Sequence, residues 1–331
     1  MLNSEAKLAA NVFDDAKIAR APSRDGYGKG LVRAGEQDER VVVLCADLTE
    51  STRSHWFQEK FPKRFIEIGV AEQNLAALAS GLANYGKIPF ISSYAAFSPG
   101  RNNEQIRTTI SLNQLSVKIA GAHAGISVGP DGATHQALED IALMRVQPHM
   151  TVIAPCDAIE AEKATLAAAF HEGPVYIRLG REASPVITTQ ESPFAIGKAM
   201  PLFEYENPQV TILSTGILAH ETLMAAHQLA QQGIGSSVIH CATIKPLDMG
   251  TILESVRKTQ AVVTVEEHQI ACGFGSAITE LLAQHYPVPV EYIGIKDRFG
   301  ESGTADELLH HFKLDRIAII EAVKQVIIRK R

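Results

Sequence analysis

Short continuous apolar runs alternate with stretches whose apolar residues recur at helical spacing, and the alternation covers most of the chain. VVVLCA (41–46), RFIEIG (64–69), IPFISS (88–93), SVKIAG (116–121), TVIAP (151–155) and PVYIRL (174–179) are apolar and β-branched enough to predict strands. Between them lie amphipathic stretches such as DAIEAEKATLAAAFHE, where Asp157 is a good N-cap and His171 and Gly173 suit a helix end. Strands apolar on both faces, alternating with helices, predict a mostly parallel sheet covered on both sides. From Arg181 to Gln209 the pattern lapses into a stretch rich in Pro, Ser and Thr, which marks a boundary. A second alternation follows: VTILST, ILAHETLMAAHQLAQQG, SSVIHC, AVVTVEE, PVEYIG and the closing DRIAIIEAVKQVIIRK. The expected architecture is α/β with two doubly wound domains, 20–185 and a smaller one at 209–331, joined by a linker at 186–208.

Composition narrows the class. At 331 residues, 46% hydrophobic and 21% charged, the chain has the balance of a soluble globular protein too long for one ordinary core. A formal charge of −6, with no long basic run, argues against nucleic acid as a main partner. The cysteines Cys45, Cys156, Cys241 and Cys272 form no CxxC pair, and three lie in or beside apolar runs, as reduced core cysteines do. The first twenty residues contain no long apolar core for export and no later segment is long and apolar enough to span a bilayer, so a cytoplasmic protein is expected.

In parallel α/β sheets ligands meet the carboxyl ends of strands. The residues falling there are Asp47 with LTES, Glu72, the SYAAF segment with Tyr94 and Phe97, GAHAGISVGPDGATHQ, and Arg181. Glu72, in EIGVAEQN, stands where a strand gives way to a helix, with no Lys or Arg three or four residues on. Two readings fit it: an acid stabilised by the helix N-terminus, or a carboxylate aimed at a ligand. Tyr94 and Phe97 are similarly core aromatics or a ligand platform. The glycine-rich loop places His123, Asp131 and His135 at spacings matching no compact zinc pattern, which favours polar substrate contacts over metal ligation. Thr134 is a plausible N-cap for a helix over HQALEDIALMRV. No GxxxxGK[ST], no GxGxxG after a strand and no GDG occurs, so a mixed acid, aromatic and basic rim stands without a phosphate anchor.

ADLTES, EIGVAEQN, PFISSYAAF with EQIR, GISVGPDGATHQALEDIA, YIRLGRE, TIKPLD and VEEHQIACGFGSAI occur in the order of the transketolase family, which the chain resembles from about Arg24 onward. The resemblance covers that family's pyrimidine-binding and C-terminal domains but not its diphosphate-binding domain. It therefore implies the C-terminal subunit of a split transketolase, dependent on thiamine diphosphate and transferring a two-carbon ketol unit from a ketose phosphate to an aldose phosphate. It implies Glu72 as the carboxyl group on pyrimidine N1′, whose hydrogen bond shifts the ring toward the imino tautomer. Tyr94 and Phe97 enclose that ring, and Asp47 lies near the cofactor. Arg24, Ser51, His123 and Arg181 match phosphate-binding positions, while Asp131 and His135 face the substrate's hydroxyls and reacting end, His135 also serving the cofactor and proton exchange. Glu67 stays structural. A separately encoded partner is expected to bring Mg2+ (or Ca2+) and the diphosphate site, in a heterotetramer of two copies of each chain. Departures from the family pattern fall at Pro130, Ala133 and Asn103. The alternatives are a 2-oxoacid dehydrogenase β subunit, a deoxyxylulose-phosphate synthase-like component, and a non-catalytic partner subunit.

Overall fold

Every apolar run expected as a strand forms one in the computed structural model, which describes residues 1–330. In chain order the strands are β1 (Arg20–Pro22), β2 (Val41–Cys45), β3 (Phe65–Glu67), β4 (Ile88–Tyr94), β5 (Lys118–Ala122), β6 (Thr151–Ile153) and β7 (Val175–Arg178). These are followed by β8 (Ala183–Pro185), β9 (Met200–Glu204), β10 (Val210–Ser214), β11 (Ser236–His240), β12 (Thr243–Lys245), β13 (Val262–Gln269) and β14 (Val290–Ile295). The first sheet has the order β12-β6-β7-β5-β4-β2-β3 and the second β14-β13-β10-β11-β9. Pairing is parallel throughout both, except that β12 and β9 join their edges antiparallel.

All five residues of β2, and all of β5 and β10, are buried, which is why their sequences are largely apolar; Lys118, at the start of β5, is buried with its ammonium donating to the His171 and Gly173 carbonyls. Each fully buried Val, Leu or Ile contributes about 1.5–3 kcal/mol relative to exposure. Helix Ala158–Phe170 begins at Asp157 as expected, whose carboxylate accepts the Glu160 N–H at 2.9 Å and also the N–H groups of Ile187 and Thr188. Helices Ala219–Gln231 and Arg316–Arg329 occupy the other two stretches with helical spacing, the second capped by Asp315.

Three features differ from the expectation. The stretch 186–208, expected as a linker, carries β9, which pairs with β11 in the second sheet. The TIKPLD motif sends β12 back to the first sheet, so the chain crosses between the two sheets again after β11. The helix expected over HQALEDIALMRV shrinks to Asp140–Arg145, with Glu139 rather than Thr134 before it. Here the Gln136 side chain takes over: its amide donates to the carbonyls of Ile126, Gly129 and Glu301, holding residues 126–136 as a fixed loop.

Candidate functional site

The carboxyl ends of β2, β3, β4, β5 and β7 open on one edge of the first sheet, and each supplies a side chain or turn to the same place. After β3 the chain turns at Gly69, whose φ of +75° is a left-handed conformation that glycine adopts without strain, and helix Glu72–Asn84 begins. The turn is tied by Glu67, which accepts the N–H groups of Asp47 (2.7 Å) and Gly69 (2.9 Å) and the Thr49 hydroxyl (2.9 Å). Glu67 thus joins the β2 and β3 loops.

Glu72 is the first residue of that helix and is 1% exposed. Its carboxylate Oε2 accepts from Arg101 Nη1 at 2.9 Å, and Oε1 accepts no hydrogen bond from the described residues. The partner missed in the sequence is therefore not on the helix but in the loop after β4. Arg101 lies over the Phe97 ring at 4.7 Å, and its neighbour Asn102 donates to the Glu72 carbonyl at 3.0 Å. Asn103 begins the short helical turn that follows, with its amide nitrogen buried and unpartnered.

Tyr94 and Phe97 are not simple core aromatics: they form one wall of a four-ring cluster. Tyr94 stacks on His123 at 3.9 Å and on Phe97 at 6.0 Å, while His135 stands edge-on to Phe97 at 5.5 Å and to Tyr94 at 6.0 Å. The loop after β5 makes this possible. His123 adopts a left-handed φ of 53°, as does Asp47 after β2 at 57°, and such strained strand-end residues cluster at functional sites. Thr134 Oγ1 lies 2.8 Å from His135 Nδ1. Pro130 and Ala133 are exposed on the rim of this loop.

The basic residues converge by a route the sequence did not reveal. Strands β1 and β8 pair antiparallel, with Pro22 opposite Ala183, and Ser23 Oγ accepts the Gly180 N–H at 2.8 Å. That pairing draws Arg24 and Arg181, distant in sequence, close enough for both charges to act on His123. Arg24 donates to the Ser51 carbonyl at 2.8 Å, so Ser51 is brought in through its backbone. Arg181 donates to the Val128 carbonyl (2.9 Å) and to Asp131 (3.1 Å). Arg53, which the sequence did not single out, adds a further cation and is held by Asp25 at 2.6 Å. Burial first, and the Arg24 and Arg181 charges next, lower the His123 pKa to about 3, so its imidazole is neutral. Burial likewise lowers the Arg24 pKa, with Arg53 nearby adding to the effect. Arg24 Nε and His123 Nδ1 are buried with no partner among the described residues, so both are open to a ligand. Asp47 is exposed, and its carboxylate takes no part in these contacts.

His123, Asp131 and His135 do not gather as a metal triad. Among the described residues the one group with metal-ligand proximity is Cys156, Glu160 and His240, elsewhere in the molecule. The arrangement at the sheet edge instead offers a buried carboxylate, a flat aromatic pocket beside it, and a cationic mouth. A planar heterocycle with a hydrogen-bonding ring nitrogen fits the first two, and an anionic polar substrate fits the third.

Comparison with known proteins bears on this geometry. The family model described as transketolase, pyrimidine binding domain, matches residues 20–186, and that described as transketolase, C-terminal domain, matches residues 198–319. The chain is 43% identical over 305 residues to a putative transketolase C-terminal section of Methanocaldococcus jannaschii, covering 91% of this chain and 95% of that protein. It is 41% identical to a 6-deoxy-6-sulfo-D-fructose transketolase subunit of Clostridium sp. (strain MSTE9), covering 96% and 98% of the two chains. Human transketolase is 36% identical, and the match covers 92% of this chain but 49% of that one. A solved structure titled split gene transketolase, inactive beta4 tetramer, superposes with a TM-score of 0.87 at 44% identity, covering 94% of this chain and 99% of that chain.

Proposed function

The chain belongs to the transketolase family, as the C-terminal section of a split enzyme, and on that premise we propose that it forms the pyrimidine-side half of a thiamine-diphosphate site completed by a separate subunit. The observation that carries the reading is the buried Glu72 carboxylate, whose Oε1 accepts no hydrogen bond from the described residues, beside the Tyr94–Phe97–His123–His135 cluster.

When bound, thiamine diphosphate supplies a nucleophilic thiazolium carbon and the electron sink that lets a carbon–carbon bond break. In this reading Glu72 hydrogen-bonds the pyrimidine N1′ and holds the ring in its reactive tautomer. Burial of the carboxylate strengthens that bond. Phe97 and Tyr94 orient the ring and exclude water, an aromatic pair adding about 0.5–1.5 kcal/mol beyond burial. His135 sits at the reacting end, where an imidazole can move a proton to or from the substrate oxygen. Asp131, held by Arg181, faces the sugar hydroxyls, and Arg24, Ser51, His123 and Arg181 receive the substrate's anionic tail. Asp47, exposed at the mouth, borders the cofactor.

The reaction is the transfer of a two-carbon ketol unit from a ketose to an aldose, each carrying an anionic group. The partner subunit holds the diphosphate and its Mg2+, in an assembly with two copies of each chain and a cytoplasmic setting. Two features support a shared site. The chain has no GDG diphosphate motif, and one solved relative, a split gene transketolase, is described as an inactive beta4 tetramer. The sulfosugar named for the Clostridium relative gives the tail a second form, because a sulfonate, like a phosphate ester, presents three terminal anionic oxygens to Arg24 and Arg181, with a smaller charge.

The test is a coupled ketol-transfer assay of this chain, alone and with its separately encoded partner, with thiamine diphosphate, Mg2+ and ketose donors bearing either a phosphate or a sulfonate. Turnover in the mixture only, abolished by Glu72→Ala, is the expected result. Pyruvate consumption in place of ketose turnover, or activity that survives Glu72→Ala, overturns it.

A further inference from the structure

Cys156 follows β6, Glu160 lies in the first turn of helix Ala158–Phe170, and His240 ends β11, so three chemically distinct side chains meet where the two sheets adjoin. All three are buried, and one ligand atom from each lies within 4.8 Å of the others. Glu160 Oε2 accepts the Cys156 backbone N–H at 2.7 Å and contacts His240 Nε2 at 2.8 Å. The carboxylate is therefore fixed between the Cys156 backbone and the His240 imidazole, with the Cys156 sulfur within reach. His240 presents Nε2 to this cluster, while its Nδ1, on the far side of the ring, is buried with no partner among the described residues. Glu160 and His240 also line a cavity of about 230 Å³, which Asn3, Glu5 and Lys198 border. It is ample for a water molecule as a further ligand, which needs only about 10–15 Å³.

We propose that Cys156, Glu160 and His240 form a binding site for one divalent cation of the Zn2+ class, completed by a water from the adjoining cavity. Tetrahedral zinc with bonds of about 2.0–2.3 Å separates its ligand atoms by about 3.3–3.8 Å, a spacing this cluster reaches by small side-chain shifts. Thiolate and imidazole favour Zn2+ or Co2+ over the hard ions Mg2+ and Ca2+. Binding releases the Cys156 thiol proton to solvent, and thiolate plus carboxylate then balance the 2+ charge. A cation would take the Nε2 lone pair, the Glu160 carboxylate and the Cys156 sulfur together, with the imidazole proton carried on Nδ1. The ion would clasp β11 to helix Ala158–Phe170 and so couple the two units, two strand positions from β5 and outside the cationic mouth.

The test uses the full chain, stripped with a chelator and titrated with Co2+. The expected result is one equivalent bound, a thiolate-to-cobalt absorption band with tetrahedral d–d bands, displacement by Zn2+ but not by excess Mg2+, and a Tm raised by Zn2+. Cys156→Ser should abolish the thiolate band and weaken binding at least about tenfold, with His240→Asn weakening it similarly. Cys272→Ser, at the exposed cysteine, should leave both unchanged. At a urea concentration just below the unfolding midpoint, where the buried thiol becomes reachable, Zn2+ should slow alkylation of Cys156 in the unsubstituted chain, read by mass spectrometry, so the result stands even if a variant fails to fold. Uptake of neither ion, a band that persists in Cys156→Ser, or no protection of Cys156 overturns the proposal. None of these readouts depends on ketol transfer.

Discussion

Arg101 Nη1 lies 2.9 Å from Glu72 Oε2, and the two differ sharply in setting: the Glu72 side chain is 1% exposed and that of Arg101 50%. A buried carboxylate without a counter-charge is costly, so this pair is what makes Glu72 tolerable at the sheet edge in the chain alone. The guanidinium reaches it across the Phe97 ring, from a loop rather than from the helix that carries Glu72. Carboxylate, cation and aromatic wall are thus one unit.

Arg101→Ala should destabilise the chain by about 1–2 kcal/mol, less than the ~3–5 of a fully buried pair because solvent screens the half-exposed guanidinium. Urea unfolding measures it. An unchanged midpoint would mean that water already compensates Glu72.

Phe97→Ala removes the ring that touches Tyr94, His135 and Arg101 together. With the partner present, the thiamine diphosphate concentration for half-activity should rise about tenfold, from lost stacking and lost burial combined. The KM for sugar should move little. A change in sugar KM alone would place Phe97 on the substrate side.

Arg24→Ala and Arg181→Ala should each raise the KM for an anionic sugar at least about tenfold while leaving cofactor half-saturation near that of the unsubstituted chain. An uncharged sugar should show no such loss. Equal effects on charged and uncharged sugars would assign the two arginines to folding of the β1–β8 edge, where Ser23 and Gly180 meet.

Much of this arrangement was legible because it depends on local sequence. Buried parallel strands must be apolar on both faces, so β2, β4 and β10 announce themselves, and Asp157 caps its helix by a bond spanning three residues. What stayed hidden depends on approach in space. β1 and β8 are three-residue strands containing proline, and β9 and β12 are antiparallel edges inside polar or proline-bearing stretches. Arg101 and Arg53 acquire partners only when separate loops fold together. Gln136 overrides helical spacing by bonding to a carbonyl 165 residues away.

Stability should fall in acid partly through His123. Its pKa lies at about 3, below the ordinary 6.5, because of burial and then the neighbouring Arg24 and Arg181. Above pH 6.5 neither the folded nor the unfolded chain protonates this group. Between pH 6.5 and 3 the unfolded chain takes up a proton that the folded chain refuses, so stability drops as pH falls through that window. In His123→Asn the difference in unfolding free energy between pH 7 and pH 4.5 should shrink by about 1–3 kcal/mol. An identical pH dependence in the variant would mean that His123 protonates normally when folded.

The second unit should act on the site through Glu267. This buried residue accepts the Ser127 N–H with its carboxylate, while its carbonyl accepts Arg178 Nη2 at 2.7 Å. Arg178 in turn binds Asp140 at 2.9 Å, and Asp140 accepts the Tyr176 hydroxyl at 2.7 Å. The loop carrying His123, Asp131 and His135 is therefore pinned from the C-terminal side. Gly125, at φ +90°, leaves room for it: a Cβ there would sit 2.4 Å from the Glu267 carboxyl carbon. Arg178→Met strips the counter-charge from Asp140 and Glu267 and should cost about 3–5 kcal/mol in urea unfolding. Gly125→Ala meets both a glycine-only backbone conformation and the buried Glu267 carboxyl, so it should destabilise the chain as well, and the fraction that folds should show kcat of the assembled enzyme lowered at least about tenfold, since a misplacement near 1 Å at the reacting end already costs more. Gly125→Ala with unchanged kcat would show that the loop keeps its geometry without Glu267, and would reduce the C-terminal unit to packing.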